Sequence, residues 1–95
     1  MINSKQRSYL KSIANTLEAK INIGKNGLSE NAIAQVDQIL EANEIVKINV
    51  LNNNMDDQND LVASLIDALD AEFVSHLGSK ITLYRPSKKK IIQLP

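Results

Sequence analysis

Ile21-Asn22-Ile23-Gly24-Lys25-Asn26-Gly27-Leu28-Ser29 is the stretch on which the reading of this chain turns. Ile21 and Ile23 alternate about a polar Asn22, the pattern of a half-buried strand, and Ser29 is one of the residue types that cap helices. Between them, Gly24 and Gly27 let the backbone bend sharply and come close to a partner, because neither carries a Cβ. Lys25 adds a cation. The helix start downstream offers unpaired N–H groups and the positive end of its macrodipole, which together favour anions. The same spacing also describes an ordinary turn. It is not a Walker loop, which needs wider glycine spacing and a Gly-Lys-Ser/Thr ending, nor a dinucleotide fingerprint, which needs a third glycine. What survives is a short clamp suited to a nucleic-acid backbone.

Working outward, Ser29 opens a helix in which Ile33, Val36, Ile39 and Leu40 recur at helical spacing, and Asn43 is a tolerable stop. Residues 45–51 form the best strand, with Val46, Ile48 and Val50 on one face and Lys47 and Asn49 on the other. Asn52, Asn53 and Asn54 read as a loop before a third helix over 57–69, whose stripe is Leu61, Val62, Leu65, Ile66 and Leu69. Residues 71–77 and 80–84 alternate on either side of Gly78-Ser79 and should pair as an antiparallel hairpin, which Arg85-Pro86 ends. Upstream, Ser4 is the expected N-cap of a helix through Leu17. Tyr9, Leu10, Ile13, Ala14 and Leu17 form its apolar stripe, and Arg7, Lys11 and Asn15 lie four apart off it.

The order helix, strand, helix, strand, helix, strand, strand predicts a small two-layer α/β sandwich with a four-stranded mixed sheet and three helices. Residues 1–86 are expected to make one domain and 87–95 a basic tail, whose Ile91, Ile92 and Leu94 could dock while its lysines leave it free to fray. The glycine loop then falls at the carboxyl end of a strand, where ligands of open sheets tend to bind.

With 95 residues there is room for one modest core. The absence of cysteine excludes disulfides, thiolate zinc sites and cysteine nucleophiles. No secretory signal or spanning helix is apparent, so a cytoplasmic protein is expected, with no membrane partner. The formal net charge of zero conceals a segregation. Up to Gly27, Lys5, Arg7, Lys11, Lys20 and Lys25 face Glu18 alone. From Leu28 to Leu77, ten acidic residues face Lys47 alone, and beyond Gly78 the cations Lys80, Arg85, Lys88, Lys89 and Lys90 are unopposed. If the fold brings the ends together, a neutral protein presents one positive face able to attract a polyanion. If the ends stay apart, the charges form a solvated mosaic.

These segments taken together resemble a known family. Ser4-Lys5-Gln6-Arg7 leading into Leu10 and Ala14, the loop from Ile23 to Ser29, the strand Ile45-Val46-Lys47-Ile48-Asn49-Val50-Leu51, and Gly78-Ser79-Lys80-Ile81-Thr82-Leu83-Tyr84-Arg85-Pro86 are similar, in order, to the CRM domain of YhbY-like bacterial proteins. The resemblance implies a fold like the C-terminal domain of translation initiation factor three and a glycine loop comparable to that of K-homology domains. It also implies association with ribosomal RNA in precursors of the large ribosomal subunit. Relatives in plant organelles assist intron splicing. On the matching positions, the RNA-binding loop comprises Gly24, Lys25, Asn26 and Gly27.

The expected RNA site therefore spans Gly24, Lys25, Asn26, Gly27, Leu28 and Ser29, with the backbone amides of Lys25 to Leu28 and of the helix start after Ser29 holding phosphates and Arg7, Lys11, Lys25, Lys80 and Arg85 supplying positive potential, so that phosphate position dominates over base identity. No cofactor, small-molecule substrate or metal is expected, and the chain should be a monomer. An enzyme is not supported, because no nucleophile, base and orienting group stand at recognisable spacing. Asp56, Asp57 and Asp60 lack the oxygen ladder and glycine of a calcium loop and are expected to favour a helix start. His76, the only histidine, is expected to be a strand residue. Three aromatics do not make a base-stacking sheet. The rival function is a protein-interaction module docking a basic partner on the acidic second and third helices through Glu30, Asp37, Glu41 and Glu44.

Overall fold

The computed structural model describes residues 2–24, 27–51 and 57–95. Its elements are α1 (Ser4–Ala14), β1 (Ile21–Ile23), α2 (Glu30–Asn43), β2 (Ile45–Val50), α3 (Gln58–Leu69), β3 (Glu72–Leu77) and β4 (Lys80–Tyr84). The predicted small α/β fold, with three helices and a four-stranded mixed sheet, is the fold observed. The strands lie in the order β1-β2-β4-β3: β1 runs parallel to β2, and β4 pairs antiparallel with both β2 and β3.

Two apolar clusters form because alternate residues of each strand point to opposite faces. Ile21, Ile23, Val46, Ile48, Val50, Ile81 and Leu83 join Val36 and Leu40 of α2 and Leu61, Leu65 and Leu69 of α3 in the larger core. On the other face, Ile45, Val74 and Tyr84 pack with Ile2, Leu10 and Ala14 in the smaller one. The sheet and α2–α3 thus make the expected two layers, and α1 adds a partial layer on the second face.

Several local expectations shift by a residue or more. Asn3, not Ser4, caps α1, because its side chain accepts the Gln6 amide at 2.8 Å while Gln6 accepts the Asn3 amide at 3.0 Å, a reciprocal box that Ser4 cannot close. The helix stops at Ala14 short of Leu17, where the Thr16 and Leu17 amides bond back three residues to Ile13 and Ala14 and tighten the last turn. Tyr9, expected in the core, is 41% exposed, since the buried stripe runs through Leu10 and Ala14. Ser29 and Asp57 cap α2 and α3, the Asp57 carboxylate accepting the Asn59 and Asp60 amides. Asp56 and the asparagine run at 52–54 lie outside the described residues. Gly78 takes φ +58° at the first of the two hairpin loop positions, as expected.

β3 is not the simple alternating strand its sequence suggests. Phe73 pairs with Leu83 and Ser75 with Thr82, so Val74 is an extra residue, a bulge that drops into the smaller core. Beyond it the facing reverses: Ser75 and Leu77 come to the α1 side, and His76 turns toward α3, its Nε2 2.6 Å from Gln58 Oε1.

The tail docks. Ile92 and Leu94 pack against the smaller core, and the Gln6 side chain donates to the Pro95 carbonyl at 3.4 Å. Its anchor is Glu44, the left-handed cap of α2 at φ 67°, whose side chain is 1% exposed. One carboxylate oxygen accepts the Ser87 amide and the other the Ile92 amide at 2.6 Å. Burial pushes this carboxyl up, but the amide hydrogen bonds from Ile92 and Ser87 outweigh it and hold the group below its ordinary value. Burial, and then the Glu44 charge, push the neighbouring Tyr84 hydroxyl up.

Candidate nucleic-acid interface

The chain leaves β1 beside the end of β2, where the Leu51 amide donates to the Ile23 carbonyl at 2.8 Å. The Gly27 amide then donates to the Gly24 carbonyl at 3.0 Å, closing a tight turn. Gly27 takes φ 68°, a conformation that explains glycine at this position. Lys25 and Asn26 lie outside the described residues. Leu28 is half-buried against the larger core and pins the far side of the turn, and the Ser29 hydroxyl accepts the Ala32 amide at 3.1 Å to start α2. The turn is therefore fixed at both ends, with a helix N-terminus immediately behind it.

Beside this turn the α1 side of the sheet is only half covered. Register puts Asn22 opposite Asn49, Asn49 opposite Lys80 and Lys80 opposite Leu77, a row crossing all four strands on one face. Asn49 is its hub. Its Oδ1 accepts from Lys80 Nζ and from the Ser79 hydroxyl, both at 3.0 Å, and its amide donates to Asn22 Oδ1 at 3.2 Å. These bonds hold the Lys80 ammonium over the sheet with donors to spare. One row nearer α1, Lys47 Nζ donates to the Ala14 and Leu17 carbonyls at 3.2 and 3.3 Å, placing a cation on the negative end of that helix.

Of the cations expected in the site, Lys11 and Lys80 line this open surface. Arg7 is on the same side but half-buried, its Nε donating to the Phe73 carbonyl at 3.1 Å beside the bulge, so it tethers α1 to the edge strand. Arg85 must be removed from the set. Its guanidinium is only 15% exposed and reaches the opposite face, meeting Asp37 Oδ1 and Glu41 Oε1 at 2.9 Å and the Leu69 carbonyl at 2.9 Å. It neutralises the α2 acids and supplies the cation that the last turn of α3 lacks. Asn22, Asn49, Lys47 and Leu77 share this surface as well. The alternation of β2 already turned Lys47 and Asn49 away from the core, but only strand pairing aligns them with Asn22 and Lys80.

The sheet divides the charge. The basic first helix and the tail share the smaller core, so the two basic ends do meet. Lys47, the lone cation of the acidic middle segment, points to their side, and Arg85, a cation of the basic end, crosses to the acidic one. On the acidic side a cleft of about 300 Å³ is lined by Leu28, Asp57, Asp60, Leu61 and Ser64. The glycine turn stands between the two: Leu28 lines the acidic cleft, and Asn22 just before the turn is linked through Asn49 to Lys80.

A model of the CRS1 / YhbY (CRM) domain matches residues 2–85. The chain belongs to this family. It is 38% identical over its full length to all of the "Probable RNA-binding protein YqeI" of Bacillus subtilis. It is 30% identical over 99% of its length to a Haemophilus influenzae "RNA-binding protein", covering 95% of that relative. Among solved structures, the solution structure of the hypothetical protein SAV1595 from Staphylococcus aureus aligns with a TM-score of 0.83, at 44% identity and with complete coverage of both chains.

Proposed function

We propose that this CRM protein is a monomeric, cytoplasmic RNA-binding protein that associates with ribosomal RNA in precursors of the large ribosomal subunit and assists their assembly. The observation that carries the reading is the position of the Gly24–Gly27 turn: fixed at both ends, backed by the α2 N-terminus, followed by Leu28 in the wall of the acidic cleft, and preceded by Asn22, which is linked through Asn49 to Lys80. Backbone amides at the turn and the start of α2 hold a phosphate. Like-charge repulsion from Asp57 and Asp60 turns the strand away from α3 and across the sheet toward Lys80, Lys47 and Lys11. The names of the relatives support RNA as the ligand class.

The rival docking of a basic protein on the acidic helices is less favoured at three of its four residues. Asp37 and Glu41 are paired with Arg85, and Glu44 is buried under the tail. Fluorescence anisotropy of the protein against single-stranded RNA over a salt series tests the grip. With about three to five phosphates neutralised, log affinity falls with log salt at a slope of roughly −2 to −4. Replacing Gly24 and Gly27 together with aspartate abolishes binding while the circular dichroism spectrum is kept; binding that survives would relocate the site. Co-sedimentation with pre-large-subunit particles, lost after ribonuclease, tests the partner.

A further inference from the structure

Two clefts of about 360 and 210 Å³ adjoin on the open half of the sheet between the end of α1 and the β3–β4 hairpin, sharing Asn15, Ser75 and Leu77 in their walls. Their rims carry Lys11 on one side and Lys47 and Lys80 on the other, and among the described residues no carboxylate lines either. That sets them apart from the acidic cleft across the sheet. Leu77 is 71% exposed, by far the barest of the large apolar side chains among the described residues. It comes to this face only because of the bulge at Val74.

We propose that this groove takes one unstacked nucleobase of the bound RNA strand, with Leu77 against the ring and Asn15 and Ser75 at its polar edge. This deepens the RNA-binding reading and rests on it. Charge complementarity selects the occupant, because an apolar contact ringed by three lysines suits a flat base on a polyanionic chain. Leu77 lies three strand spacings from Asn22 along the row, about 14 Å, a span that a few nucleotides of extended strand cover from the glycine turn. The turn fixes the backbone, and the groove gives the protein a means of preferring particular single-stranded positions, as unstacked bases allow.

The test compares a labelled oligouridylate with a strand of equal length and charge that lacks bases. The wild-type protein should bind the intact strand about five- to tenfold more tightly, the value of one apolar contact of this size. Leu77→Ala should bring the intact strand to the level of the abasic one with no change in salt slope. Equal affinity of the two strands for the wild-type protein overturns the base site while leaving the backbone grip standing. So does discrimination that persists in Leu77→Ala. Binding of neither strand overturns the RNA reading itself. Self-association of the free protein that Leu77→Ala removes would assign the groove to a second copy of this chain and overturn the proposal.

Discussion

At the scale of single residues, chain position and chemical type did not decide what a cation does. Lys80 opens β4 and Arg85 follows its last residue, yet Arg85 packs half-buried between helices and Lys80 stands over an open sheet. Arg85→Ala is therefore expected to cost about 1–2 kcal/mol of stability in urea denaturation, the loss of charge-assisted bonds to half-exposed acids, and to leave RNA affinity unchanged. Lys80→Ala should do the reverse, making the salt slope of RNA binding about one unit shallower with the melting transition in place. The expectation of Arg85 in the site failed for a physical reason. A long side chain after the last strand residue can reach either face, and only the carboxylates of α2 and the end of α3 determine which.

At the scale of elements, the caps of α2 and α3 and the hairpin turn were legible because their chemistry is local, whereas the cap of α1 fell one residue before the expected Ser4. Gly78 was assigned to the position needing positive φ from two residues between alternating runs, and it holds that position. No atom stands within 4 Å of a Cβ built there, so Gly78→Ala should cost only the backbone conformation, about 1–2 kcal/mol. The tail was less legible, since its lysines suggest solvent and its isoleucines suggest a core. Glu44 decides the matter. Its carboxyl is held below the ordinary value of 4.5, so its contribution is fully present above that pH and is lost as pH falls through the lower value of the folded state. Relative to the intrinsic rate at each pH, hydrogen exchange at the Ser87 and Ile92 amides should be slow and constant from neutral pH down to about 5, then rise on further acidification. In Glu44→Gln it should be fast throughout that range. The bulge in β3 had no sequence signal, because an extra residue in an apolar strand looks like continued alternation until its partner strand is known.

Over the whole molecule, a zero net charge is resolved by the sheet into a lysine-bearing side and an acidic side. Charge changes should therefore act by side: Asp67→Asn on the exposed surface of α3 should leave the salt slope of RNA binding as it is, whereas charge loss at Lys11 should flatten it. The sequence by itself determined the order of elements, the caps of α2 and α3, the hairpin and the glycine turn, because each depends on residues within a few positions of one another. Resemblance along the chain fixed the family on the same local segments. Only the tertiary structure decided that the basic ends share one core, that Arg85 leaves the site, and that Asn22, Asn49, Lys80 and Leu77 form one row. Those are consequences of strand register and of which face a distant element covers, and neither is written in the neighbourhood of any single residue.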